Sequence, residues 1–231
     1  YEHATLKVYD IPIFYFPKFF HPDPTVKRQS GFLVPLVTNS SNLGAGFSIP
    51  YFWAINNNKD LTFTPKIYAK ENILFLNEYR HAFKNSYLIL DSGYTKGYKN
   101  ASDTKLPGSR SHIFAKFAHD FGKLKDYISS LEINLQHVSN DTYLKVHDID
   151  TELAKAENTI LTNDINYEYQ DNDKFLGVTA SAFENTTKKD RKKYEYIIPN
   201  VVFEKNVFSN DKLGVVDVYS NAFAKNYNVN Q

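Results

Sequence analysis

Seven histidines and 26 acidic residues are the side chains here best suited to proton transfer or metal binding, because the 231-residue chain contains no cysteine. None of the histidines stands in a Gly-x-Ser-x-Gly or His-Glu-x-x-His setting. One stretch, His137-Val138-Ser139-Asn140-Asp141, gathers Ser, His and Asp, but a triad is defined by geometry and not by closeness in sequence. Asp148, Asp150 and Glu152 could hold calcium, yet they lack the glycine-turn spacing of a calcium loop and read better as a solvated connection. No catalytic residue, metal or cofactor is therefore expected, and the chain reads as something other than an enzyme.

The more informative chemistry is that of the prolines between Tyr9 and Pro50. Residues 4 to 20 (ATLKVYDIPIFYFPKFF) are rich in Val, Ile, Tyr and Phe but interrupted by Pro12 and Pro17. Proline donates no backbone hydrogen bond, so this passage reads as edge strands or irregular extended chain at the end of a sheet. His21-Pro22-Asp23-Pro24 breaks the chain, which sets an expected domain boundary near Thr25, with residues 1–26 on one side and 27–231 on the other. A basic pair, Lys27-Arg28, follows, and then come two strand-like runs, each with a proline, Pro35 and Pro50, where a ladder donor would be needed.

From Gly31 onward apolar and polar residues alternate, with turn residues at regular intervals. Asp60 to Ala69 sets Leu61, Phe63, Pro65 and Ile67 against Asp60, Thr62, Thr64 and Lys66; Ile73 to Lys84 sets Phe75, Tyr79 and Phe83 against Glu78 and Arg80. Similar runs give about ten strands, so the fold class is all-β and antiparallel. A polar connection is expected from His137 to Asn158, with Asp148 to Glu157 its best candidate for a helical turn. No run of about 18 apolar residues exists, which excludes a membrane-spanning helix but not a barrel, whose strands need about 9 to 11 residues each. The composition of 18 Phe and 17 Tyr, with aromatics near strand ends, suits the girdles of a transmembrane β-barrel, although aromatics also favour strands in soluble sheets; pattern alone leaves both open. With a net charge of +1 nothing points to nucleic acid. The chain has no Met and starts mid-pattern at Tyr1, so a fragment is expected.

The runs IPIFYFPKFFHPDPTVKRQSGFLVP, GAGFSIPYFWAINNNKDLTFTP and NEYR, in that order over residues 8 to 80, resemble the LPS-assembly protein LptD family. The resemblance implies the last strands of a periplasmic β-jelly roll over residues 1–26, followed by the N-terminal part of an outer-membrane barrel. It further implies a translocon that inserts lipopolysaccharide into the outer leaflet through a lateral gate, with Pro35 and Pro50 beside that gate. Ile11, Ile13, Phe14, Phe16, Phe19 and Phe20 are candidates for the lipid path at the jelly-roll exit. Lys27 and Arg28 would meet lipid phosphates or anchor at the interface, and Asp60, Lys66, Glu78 and Arg80 would face a wet lumen. The implied partners are lipopolysaccharide, outer-membrane lipid, an LptE-like plug lipoprotein and an LptA-like periplasmic bridge. A general porin or a TonB-type receptor is the competing reading. The family's disulfides have no counterpart in this segment.

Overall fold

The computed structural model describes residues 2–8, 10–18, 28–100, 102, 107–122, 127–188, 193–210 and 213–227. It is all-β and antiparallel, with a single five-residue helix among the described residues. No helix of the described chain is long and apolar enough to cross a membrane.

Two compact units divide the chain: Tyr1–Tyr79 with Thr95–Ser109, and Arg80–Tyr94 with Arg110–Gln231. The first begins with a separate two-stranded sheet, β1 (Glu2–Val8) and β2 (Ile11–Lys18), paired antiparallel through Leu6↔Phe14 and Ala4↔Phe16. Asp10, at φ 62°, makes the tight reversal between them. Short strands follow: β3 (Gly31–Phe32), β4 (Leu36–Ser40), β5 (Gly44–Ser48) and β6 (Tyr51–Asn56). They assemble on β7 (Lys59–Tyr68), which pairs with both β5 and β6, while β4 pairs with β5 and β3 with β6. The two strand-like runs expected to carry Pro35 and Pro50 are thus each split in two, and the splits fall at the prolines. β8 (Leu74–Ala82) passes from the first unit into the second.

In the second unit the order is β15 (Gly214–Tyr227), β14 (Tyr194–Asn210), β13 (Lys174–Asn185), β12 (Ile160–Asp171), β11 (Tyr127–Val138), β10 (Arg110–Asp120) and β9 (Ser86–Thr95). Each strand neighbours the next in sequence, so the topology is a meander. From β10 on the strands are 11 to 17 residues long, enough to span a hydrocarbon layer, for which about 9 to 11 suffice. Pro199, inside β14, is absorbed by a bulge between Ile197 and Asn200.

Burial runs opposite to that of a soluble sheet. In β7 the carboxylate-bearing Asp60 is 3% exposed, whereas Phe63 and Ile67 on the alternate face are 37% and 45% exposed. The second unit repeats this: Asp91 and His112 are buried, and Ile113, Leu135 and Ile165 are about half exposed. The inward face is mixed, since Tyr68, Leu74, Ile89, Phe114 and Leu161 are buried too, but apolar side chains exposed on the outer face on this scale suit an apolar surrounding medium.

The long connection after β11 supplies much of the core. Its helix, α1, covers Tyr143–His147, not the expected 148–157, and ends where Asp148 takes φ 48°. The Asn140 side chain accepts the Thr142 N–H at 3.1 Å, which starts the turn, and the Ile149 N–H closes it on the Leu144 carbonyl at 3.0 Å. Asp148 is therefore a helix stop, since a left-handed residue cannot continue the turn. Tyr143, Leu144 and Ile149 are buried, the two aliphatic side chains contributing about 1.5–3 kcal/mol each. Room for Tyr143 comes from Gly93, where an added Cβ would lie 2.7 Å from the Tyr143 hydroxyl and 2.5 Å from the His112 ring. Gly93→Ala should consequently loosen this connection at a cost of about 1–3 kcal/mol. The expected readout is faster protease cleavage within residues 139–159 of the assembled protein.

Candidate functional site

Besides register shifts at Leu6/Lys7 and Ala54/Asn56, the first unit carries a marked irregularity at the level of its prolines. Leu36 faces Ser48 and Phe32 faces Tyr51, so three residues, 33–35, oppose only two, 49 and 50. That is a β-bulge, and it bends the strand that carries it. Pro35, buried, ends the bulge; Pro50 closes the gap between β5 and β6. On the other side Ser48 faces Lys66 and Tyr51 faces Phe63, so Ile49 and Pro50 oppose Thr64 and Pro65 without any slip. The bonds that survive here are Leu33 N–H to the Pro50 carbonyl at 2.8 Å and Ile49 N–H to the Pro65 carbonyl, stretched to 3.3 Å. Pro35 and Pro50 were expected to delete donors from within strands; they stand in gaps between short strands instead.

The other anticipated residues are distributed as follows. Ile11 lies on β2 and is 67% exposed. Expectations for Phe19, Phe20 and Lys27, and for the side chains of Ile13, Phe14 and Phe16, lie outside the described residues. Arg28 pairs with the buried Asp60 carboxylate and stands 5.5 Å over the Phe52 ring. It therefore straps the incoming chain to the β6–β7 hairpin. Lys66 shares the polar face of β7 with Asp60; Glu78 and Arg80 share one face of β8. Arg80 Nη2 reaches Glu152 Oε2 at 3.2 Å.

Sequence reasoning missed the polar ladder of the second unit. Lys116 Nζ lies 3.1 Å from Glu132 Oε2, and the Asn134 amide donates to Glu132 Oε1 at 2.9 Å and to Asp164 Oδ1 at 3.0 Å. A second row links Thr179 Oγ1 to Asn166 at 2.8 Å and Asn166 to Glu168 at 3.1 Å. Cross-strand pairs such as Lys116↔Asn134 and Asn134↔Asp164 bring these groups together, so alternation combined with register was the available signal. Such a surface binds water and polar solute and offers nothing to an acyl chain.

Beside it, His112 Nε2 donates to Asp91 Oδ1 at 2.8 Å and leaves Nδ1, 3.3 Å from the Tyr143 hydroxyl, as acceptor. Gln136 Nε2 donates to the Leu153 carbonyl at 2.7 Å. These contacts fold the 139–159 connection over the polar face. Lys193 ties its start to β13, with Nζ 2.6 Å from Asp141 and 2.5 Å from Glu184. Burial disfavours the Lys193 ammonium, but bonding to both carboxylates outweighs it and holds the group above the ordinary lysine range.

The residues flagged for catalysis or metal binding go separate ways. Ser139 Oγ accepts the Ser111 N–H at 2.8 Å, Asp141 is engaged by Lys193, Asp150 accepts the Ala156 N–H at 2.8 Å, and Glu152 meets Arg80. Among the described residues no group of three or more His, Cys, Asp or Glu could hold a metal ion. For the strap, Arg28→Ala should cost about 1–3 kcal/mol by leaving the Asp60 carboxylate buried without its cation. Adding Asp60→Asn to that variant should recover part of the loss, read as heat-modifiable mobility of the assembled protein.

Comparison with known proteins bears on what these features serve. The family model described as "LptD protein" matches residues 2–230. The chain is 31% identical over 169 residues to an LPS-assembly protein LptD of Nitrosococcus oceani, covering 73% of this chain and 21% of the relative. It is 26% identical over 202 residues to that of Pseudomonas aeruginosa (87% and 21%) and 27% identical over 213 residues to that of Actinobacillus pleuropneumoniae (91% and 26%). It thus spans between a fifth and about a quarter of the length of these curated relatives. With the family model matched over nearly the whole chain, the protein belongs to the LptD family.

Proposed function

We propose that this chain is part of an outer-membrane translocon for lipopolysaccharide, and that it holds one side of the gate through which lipid enters the outer leaflet. Residues 1–26 are read as the end of a periplasmic jelly roll, and residues 27–231 as the N-terminal part of a barrel whose polar face lines the lumen. The observation that carries this reading is the interruption at Pro35 and Pro50, at one level of neighbouring strands.

A barrel in lipid satisfies its backbone by pairing every strand, so a sideways exit for a lipid needs a seam with fewer bonds to break. Each missing ladder bond lowers the cost of parting strands by about 0.5–1.5 kcal/mol. Prolines achieve that without exposing an unpaired N–H, because they have none. The inverted burial supports a membrane setting: exposed Phe63, Ile67, Ile113 and Leu135 face lipid, and Lys116, Glu132, Asn134 and Asp164 give the sugars of the cargo a hydrated wall.

Ile11, exposed on β2, belongs with the acyl-chain path from the jelly roll, together with Ile13, Phe14, Phe16, Phe19 and Phe20. An LptE-like lipoprotein would occupy the lumen and an LptA-like protein would extend the periplasmic sheet. No chemical step is assigned to any residue. In the full-length protein, Pro35→Ala and Pro50→Ala should each slow delivery of lipopolysaccharide to the cell surface, and the pair should slow it more. Delivery at the unmodified rate in the double variant would overturn the gate.

A further inference from the structure

We infer that the gate is hinged, and that Pro65 on β7 is the third element of its hinge line; this rests on the gate reading above. The inference comes from register. Extending the Leu36↔Ser48 pairing by one step sets Pro35 opposite Ile49, and extending Ser48↔Lys66 by one step sets Pro65 opposite Ile49 from the other side. Pro50 is the next residue. Three consecutive strands therefore carry a proline at the same level, and Ile49 is enclosed by all three.

The bonding pattern shows what Pro65 contributes. Ile49 donates to the Pro65 carbonyl, so this is a position where antiparallel partners exchange two bonds, and Pro65 cannot return the second. β7 stays continuous across the level, with the same register on both sides, so Pro65 is not there to end a strand or seat a bulge. Pro199 is the contrast: it is absorbed by a bulge, and neither β13 nor β15 carries any proline.

The line separates a leaf from a base. The leaf is the β4–β5 hairpin, Leu36 to Ser48, whose ladder to β7 comprises Gly46↔Tyr68, Phe47↔Ile67 and Ser48↔Lys66, continued by Ala69 N–H to the Ala45 carbonyl at 2.8 Å and Lys70 N–H to the Leu43 carbonyl at 3.2 Å. The base is β3 and β6, held through Tyr51↔Phe63 to Ala54↔Asp60 and strapped by the Arg28–Asp60 pair. Leu36 and Val37, adjacent residues that point to opposite faces, are 56% and 50% exposed, so the β4 side of the leaf is lightly packed, and its packing lies at Leu43 and Ser48, which are buried. The leaf swings about the line of prolines while the base stays fixed, and Pro65 sets where the swing stops by weakening β7's hold on Ile49.

Two engineered disulfides in the full-length protein, assembled with its lipoprotein partner, test this. Ser48→Cys with Lys66→Cys pins the leaf to β7; Phe52→Cys with Thr62→Cys pins the base. Under oxidising conditions the first pair should reduce lipopolysaccharide delivery to background and reductant should restore it, while the second should leave delivery unchanged. Independently, Pro65→Val returns a donor opposite Ile49 and should slow amide exchange across residues 36–48 about fivefold, the equivalent of one net backbone hydrogen bond. Equal effects of the two disulfides, a harmless leaf disulfide, or unchanged exchange in Pro65→Val would overturn the hinge. If delivery slows in Pro35→Ala and Pro50→Ala but responds to neither the leaf disulfide nor Pro65→Val, the hinge fails and the gate survives. If none of these changes affects delivery, both fail.

Discussion

A sheet surrounded by hydrocarbon has no water to take up a broken ladder bond, so every backbone donor must be either paired or absent. In the membrane setting proposed above, the prolines of the first unit answer to that constraint. The ladder is thinned at Pro35, Pro50 and Pro65, residues that bring no donor to the level where bonds are missing. The rest of the molecule is regular by comparison: from β10 to β15 the strands are long, consecutive and paired antiparallel with few shifts. Weakness is local because prolines are local.

The proposed membrane setting also accounts for the exposed apolar side chains. Asp60, Asp91 and His112 are inside, and each meets a partner: Asp60 the Arg28 guanidinium, His112 the Asp91 carboxylate. A buried charge without a partner would cost several kcal/mol, so the polar face is organised as pairs and rows. The 139–159 connection makes use of this face. It adds Tyr143 to His112 and Glu152 to Arg80, and turns a loop into part of the core.

Much of the strand pattern was legible because alternation reports which side of a strand is apolar, whichever side faces out. Over Asp60 to Ile67 the alternation gives the two faces that β7 presents. The family was legible from joined motifs over residues 8 to 80. What escaped depends on which strand lies beside which. The bulge at residues 33–35 exists only relative to Ser48 and Tyr51. The Asp91, His112 and Tyr143 cluster joins three segments far apart in the chain. The helical turn was expected over Asp148–Glu157, yet it forms at 143–147, where the Asn140 side chain accepts the Thr142 N–H just ahead of it and Tyr143 packs over Gly93. Pro65 looked like one more apolar residue on its face until its neighbours across the ladder were known.

The register of β5 and β6 against β7 is unchanged across Ile49 and Pro50, and that has a consequence for fidelity. A bulge at that level would let the two halves re-anneal out by one residue, which would throw every side chain of the leaf onto the wrong face. With Ile49 and Pro50 matched one for one by Thr64 and Pro65, there is a single in-step way to zip the strand shut again. At this level the slack lies in the neighbouring strand, at residues 33–35, and β6 shifts against β7 only farther along, between Ala54 and Asn56. In the proposed gate, a seam built this way would come apart repeatedly and still close in step.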